Sequence, residues 1–266
     1  MTRPLALITG ASAGIGAALA RIFAANGYDV ALTARREDRL NGLAEEIRLK
    51  YQVETLVVPA DLSKPGACAD ILGEIGNQGR HVDALANNAG YGLPGMFAET
   101  TWEDQSTFLM VMVNAVCELS HKVLPGMVER KFGRILNVAS LAGLTPGGPG
   151  HTLYGASKSF LVRFSQSLHL ENAAKGIHVT ALCPGFTYSE FHDVNGAREL
   201  VSASTPPWLW LGADEVAAAG FEAVEANRPV CVTGAPNKTI AALAKILPDE
   251  WLMAVMASQS HRIRKI

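Results

Sequence analysis

Short unbroken apolar runs alternate along the chain with longer segments whose apolar positions recur every three or four residues. Leu5–Thr9 is the first run, and it leads through glycines into a pattern carrying Ile15, Leu19, Ile22 and Phe23 on one face. Further runs at Asp29–Thr33, Val53–Val58, Val82–Ala86, Arg134–Val138, Ile177–Leu182 and Pro229–Thr233 predict strands. Between them, helical spacing covers about 37–50, 65–76, 103–130, 152–174 and 213–226, with a helical tail over about 236–260. Strands without alternation, set between amphipathic helices, belong to a parallel sheet buried on both faces. Right-handed crossovers then give a doubly wound α/β fold. No repeat or low-complexity linker interrupts the pattern, so residues 1–266 read as one domain.

Composition narrows the possible functions. Hydrophobic residues make up 48% of the chain and charged residues only 18%. This excludes an intrinsically disordered chain. A formal charge of −2 argues against a dedicated nucleic-acid binder, which carries a basic excess. The basic end, His261-Arg262-Ile263-Arg264-Lys265-Ile266, reads as a solvated, disordered terminus. Cys68, Cys117, Cys183 and Cys231 are scattered without metal or redox spacing, and free thiols fit a cytoplasmic location. Two uncharged stretches, Pro4–Ala20 and Ile135–Ser157, are interrupted by glycines or prolines, and neither reads as a membrane span. His121, His151, His169 and His192 show no paired metal-ligand spacing, so no metal is expected.

The turn Thr9-Gly10-Ala11-Ser12-Ala13-Gly14-Ile15-Gly16 lies between the first strand and the first helix. There a pyrophosphate can rest on backbone N–H groups and the positive end of the helix. This predicts a Rossmann-type dinucleotide site with Gly10, Ser12, Ala13, Gly14, Ile15 and Gly16 around the phosphates. An NAD site places an acid at the end of the second strand, but Ala34, Arg35 and Arg36 stand there. A guanidinium pairs with a 2′-phosphate, whereas an acid repels it. NADP(H) is therefore the expected cofactor, resting on Arg35 first and Arg36 second, with NAD(H) as the other candidate. Ala13, just before Gly14, brings no positive charge to this turn.

Tyr154 and Lys158 form an i, i+4 pair on one helix face. A nearby ammonium and a helix N-terminus would both lower the phenol's pKa. Ser140 follows the fifth strand, Asn87-Asn88-Ala89-Gly90 follows the fourth, and Asn114 lies in the long helix beyond it. Taken with the glycine-rich turn, these residues resemble the short-chain dehydrogenase/reductase superfamily from Thr9 to about Gly234. That resemblance implies Tyr154 as general acid or base, with Lys158 holding the nicotinamide ribose and depressing the Tyr154 pKa. It implies Ser140 orienting the substrate oxygen and Asn114 holding a relay water. Asn88, with Ala89 and Gly90, would support the cofactor and the central sheet. Asp61, followed by Leu62, would meet the adenine. Pro184-Gly185 and Thr187 would hold the carboxamide.

After Gly185 the chain is aromatic, with Phe186, Tyr188, Phe191, Trp208 and Trp210. The resemblance implies that residues 186–212 form a substrate lid, with 91–97 and 141–152 expected as the other walls and His151 as a candidate substrate contact. Apolar lining suits a hydrophobic ketone, aldehyde or 3-ketoacyl-like substrate. Trp208 and Trp210 are equally open to a core or subunit-interface role. Helices 103–130 and 152–174 carry apolar residues on more than one face, and the resemblance implies that they build a homodimer or homotetramer. The leading expectation is thus a small-molecule carbonyl reductase or alcohol dehydrogenase. A non-catalytic NAD(P)-binding redox sensor is the alternative, and epimerase or dehydratase chemistry fits less well.

Overall fold

Alternate residues of each strand part to opposite faces of the sheet. In β1 (Leu5–Thr9), Ala6 and Ile8 join one buried cluster, while Leu5 and Leu7 join the other. This is the period-2 geometry of a strand applied to a strand covered on both sides. The structure is a computed structural model describing residues 2–93, 95–150, 152–190 and 205–264, with side chains described to 258.

The main sheet has seven strands: β1, β2 (Asp29–Thr33), β3 (Thr55–Val57), β4 (Ala84–Asn87), β5 (Gly133–Val138), β6 (Ile177–Cys183) and β9 (Val230–Val232). Their order is β3-β2-β1-β4-β5-β6-β9, and every pairing is parallel. The order reverses between β1 and β4, which opens a crevice beyond their C-terminal ends. The fold is the doubly wound Rossmann-like α/β domain that the hydrophobic pattern predicts.

One face is covered by α1 (Gly14–Ala25), α2 (Glu37–Tyr51) and α7 (Ala213–Glu225) through Leu19, Phe23, Leu40, Ile47, Val216 and Phe221. On the other lie α3 (Ala67–Asn77) and α5 (Ala115–Arg130), with Ile71, Ile75, Leu119, Val123 and Met127 buried. Here too α6 (Thr152–Asn172) packs Leu161 and Val162 against Ala181 and Cys183. Each such side chain contributes about 1.5–3 kcal/mol on burial. A buried polar chain runs along this second face: Asn87 Nδ2 donates to Ser120 Oγ and Asn137 Oδ1, and Asn137 Nδ2 donates to Ser165 Oγ.

Several elements differ from the expected bounds. The 103–130 helix begins as α4 (Trp102–Leu109) and passes through a π turn at Met110–Asn114 before α5. Among the described residues, Trp102–Arg130 alone has the length and hydropathy to cross a membrane, but here it covers the sheet. The tail forms two helices, α8 (Ala235–Leu243) and α9 (Asp249–Arg264), parted at Pro248, which has no N–H to continue a helix. Residues 261–264 continue α9, contrary to the expected loose end. The aromatic segment is anchored at both ends by a two-stranded parallel ribbon, β7 (Thr187–Tyr188) with β8 (Leu211–Gly212).

Candidate active site

All the predicted site residues whose positions are described lie along or beside the C-terminal edge of the sheet. At the switch point, Thr9 Oγ accepts from the backbone N–H groups of Asn88 and Ala89, at 2.9 and 3.0 Å. Asn88 Nδ2 donates back to the carbonyls of Thr9 and Gly10, at 2.9 and 3.2 Å. These bonds lock the glycine-rich turn onto the end of β4. Gly10 has φ +67°, and a Cβ there would lie 2.8 Å from Ala89 Cα. A Cβ on Gly16 would collide with the Gly10 carbonyl and Asn88. The cradle at the N-terminus of α1 therefore requires glycine, and its shape fits a dinucleotide pyrophosphate.

Ser140 leaves β5 as the cap of a 3₁₀ turn, its Oγ accepting from Ala142 N at 3.1 Å. That turn packs hard against α6: a Cβ on Gly143 would sit 2.6 Å from the Lys158 backbone. Ser159 Oγ ties the turn down by donating to the Gly143 carbonyl at 3.0 Å. Close packing brings Ser140 to Tyr154, and their side chains are hydrogen-bonded. Tyr154 lies in the first turn of α6 and lines a narrow pocket with Leu93, Phe97, Phe108 and Leu153.

Lys158 is 5% exposed, and its Nζ donates to the Val138 carbonyl at 2.7 Å. Burial pushes its pKa down to about 8, with the nearby Cys183 opposing. Its Nζ lies 5.7 Å from the centroid of the Tyr154 ring. The expected lowering of the Tyr154 pKa is corrected: burial pushes the phenol above its ordinary 10, and only the Ser140 bond opposes it. Asn114 ends the π turn, exposed, with Nδ2 3.1 Å from Met110 Sδ. Gly90 meets that turn at Met112.

At the nucleotide end, burial raises the Asp61 pKa, but two hydrogen bonds from Ser63, with Arg35 and Lys64 nearby, outweigh it and hold the carboxyl below its ordinary value. Leu62 turns into the core. Arg35 is exposed. Arg36 instead reaches the glycine-rich turn, donating from Nη2 and Nε to Ser12 Oγ at 2.9 and 3.2 Å. Arg36 and Arg39 both pair with Glu190, neither of the latter two foreseen in the sequence. Arg39 could have been found as the residue one helical turn beyond Arg35 and Arg36; no local signal marks Glu190.

Beyond β6, the Pro184 carbonyl accepts from Leu141 N at 2.8 Å, and Thr187 Oγ donates to the Gly185 carbonyl at 3.1 Å. Gly185 is pressed against Asn237 of α8, another residue the sequence reading missed. Trp210 is buried and stacks on Tyr188, with ring centroids 4.8 Å apart, whereas Trp208 is exposed. His151, Phe191 and His192 lie outside the described residues.

The family model for short chain dehydrogenases matches residues 4–199. The chain belongs to the short-chain dehydrogenase family. Among these oxidoreductases it is 34% identical over 265 residues to very-long-chain 3-oxoacyl-CoA reductase of Anas platyrhynchos, covering 97% of this chain and 80% of that one. A short-chain dehydrogenase from Sphingobium yanoikuyae in complex with NADPH superposes with TM-score 0.79 at 30% identity, over 92% of this chain and 96% of that one. One from Burkholderia phymatum in complex with NAD gives TM-score 0.80 at 26% identity, over 91% and 92%. Membership makes this chain an oxidoreductase with a nicotinamide cofactor.

Proposed function

We propose that this short-chain dehydrogenase is an NADP(H)-dependent carbonyl reductase or secondary-alcohol dehydrogenase. The observation that carries the chemistry is the convergence of Ser140, Tyr154 and Lys158 beside the glycine cradle. The nicotinamide, when bound, supplies or accepts the hydride at the substrate carbon. In the reducing direction the Tyr154 hydroxyl gives its proton to the carbonyl oxygen, converting C=O to CH–OH. Its raised pKa keeps that proton available at neutral pH. Ser140 Oγ donates to the same oxygen and steadies the developing charge. Lys158 supplies positive charge below the tyrosine, and Asn114 connects the site to solvent.

The preference for NADP(H) rests on three arginines after β2, Arg35, Arg36 and Arg39, of which Arg36 bonds the glycine-rich turn, with no acid at the end of β2. Leu93, Phe97, Phe108 and Leu153, set with the polar Gln105 and Thr152 beside Tyr154, support a ketone, aldehyde or 3-oxoacyl substrate with a hydrophobic part. Exposed Trp102, Phe160 and Leu170 on α4 and α6 support a homodimer or homotetramer joined through the long helices.

The test is a panel of hydrophobic ketones, aldehydes and 3-oxoacyl thioesters, followed by NADPH absorbance, with wild type and Tyr154→Phe. Turnover by wild type is expected, with loss of roughly 10²–10⁴ in kcat for the variant and NADPH binding retained. Equal turnover by both proteins would sink the mechanism. NADPH binding without turnover of any member would favour a redox sensor.

A further inference from the structure

Glu190 stands two residues past β7. Its Oε2 accepts from Arg36 Nη1 at 2.8 Å, and its Oε1 pairs with Arg39 Nη1. The same Arg36 guanidinium holds Ser12 of the glycine-rich turn. Three parts of the chain thus meet at the Arg36 guanidinium: the turn after β1 through Ser12, the start of α2 after β2, and the chain leaving β7 through Glu190. The contact is close-packed beside the charges too, because a Cβ on Gly14 would lie 2.8 Å from Ser189 Cβ.

We infer that Glu190 is a specificity-determining residue whose carboxylate competes with the 2′-phosphate of an incoming dinucleotide for Arg36 and Arg39. The inference rests on the NADP(H) reading proposed above. Carboxylate and phosphate are interchangeable partners for a guanidinium, each accepting its paired N–H donors. Both cannot occupy the same guanidinium faces, and held side by side they repel. A phosphorylated cofactor must therefore displace Glu190, while NADH, with a ribose hydroxyl there, meets no charge conflict. The two arginines also hold the Glu190 pKa below its ordinary value, so the competitor stays ionised at neutral pH. Glu190 sets the NADPH-to-NADH affinity ratio below what the arginines alone would give. Displacing it also loosens the tie between the glycine-rich turn and the chain leaving β7.

The experiment is calorimetric binding of NADPH, NADH and 2′,5′-ADP to wild type, Glu190→Gln and Glu190→Asp. Both arginine–carboxylate pairs are about two-fifths exposed, so removing the charge should tighten NADPH and 2′,5′-ADP by roughly three- to tenfold. NADH should change less than twofold, and the aspartate variant should behave like wild type or fall between. Unchanged or weaker 2′,5′-ADP binding by Glu190→Gln overturns the inference, whichever cofactor wild type prefers. Stronger wild-type binding of NADH than NADPH overturns the cofactor reading instead. In that case, tighter 2′,5′-ADP binding by Glu190→Gln would still uphold the competition.

Discussion

Lys158 and Arg36 are both cations at the C-terminal edge of one sheet, and they are held in opposite ways. Lys158 is 5% exposed, bonded to a strand carbonyl and braced by a turn that tolerates no Cβ at Gly143. The Arg36 side chain is 41% exposed and held by a serine hydroxyl and a carboxylate from 154 residues away. Charge at the catalytic end is fixed by packing, and burial is the largest influence on its proton equilibrium, opposed at Lys158 by Cys183. At the nucleotide end the cations are fixed by other charges, which a ligand can replace. A reaction centre needs the first kind of rigidity; a site that must admit and release an anion is served by the second.

The largest effects belong to the packed end. Lys158→Ala should lower kcat/KM for reduction by roughly 10²–10⁴, because it removes the cation beneath the general acid. The ammonium is charged below its pKa of about 8 and neutral above it. Reduction by wild type should therefore lose about tenfold in kcat/KM per pH unit above that value. Lys158→Arg, whose charge does not titrate there, should keep any residual activity flat through the same range. A wild-type rate that stays level to pH 10 would detach Lys158 from the chemistry.

This division also explains what could be read in advance. The strands and the two covered faces follow from local hydrophobic patterns, whereas the group Ser140, Tyr154 and Lys158 is legible through the family resemblance, its Tyr-Lys spacing alone being a weak signal. Strand β3 spans only Thr55–Val57 of the expected Val53–Val58, although backbone bonds continue past it, from Val58 N to the Leu32 carbonyl and from Ala60 N to the Ala34 carbonyl. The π turn at Met110–Asn114 has no counterpart in the apolar spacing, which runs through it unbroken. The upward shift of Tyr154 depends on the packing around it, which no i, i+4 rule contains. Glu190 was invisible for a stronger reason: its partners are 151 and 154 residues distant, and nothing local to it signals an arginine.

Gly143→Val would test whether packing positions Ser140. The new side chain must displace the Lys158 backbone, 2.6 Å from where its Cβ would lie. Overpacking of this kind costs about 1–3 kcal/mol, or roughly 2–4 °C in Tm per kcal/mol for a domain of this size. The kcat should fall more than thermal stability alone implies, with NADPH affinity nearly unchanged. Equal losses in kcat and affinity would mean that the turn supports the whole edge.

Asn88→Ala acts at the seam between the two ends. It removes the donors to the Thr9 and Gly10 carbonyls, a loss of about 1–2 kcal/mol. The glycine-rich turn should loosen, weakening NADPH and NADH alike by roughly tenfold. Selective weakening of one cofactor would place Asn88 in recognition of the ribose and not in support of the turn.

The smallest change separates Arg35 from Arg36. Sequence order favours Arg35, the second residue after β2, as the phosphate partner. The folded chain favours Arg36, whose guanidinium is bonded to Ser12 of the glycine-rich turn and is offered to an anion that Glu190 already imitates. Arg35 faces Asp61 and Tyr91, both of which feel its charge. Arg36→Ala should therefore reduce the NADPH-to-NADH affinity ratio by roughly three- to tenfold, and Arg35→Ala by less than about threefold, each a modest effect because exposed charges are screened. Raising the salt concentration should shrink the Arg36 effect further while leaving the pH dependence set by Lys158 in place, since only the exposed cation is open to counterions. If Arg35→Ala proves the more damaging, the phosphate sits nearer Asp61 than the Glu190 contact implies. The exposed pairs at Arg36 and Arg39 would then hold the segment after β7 without taking part in cofactor choice.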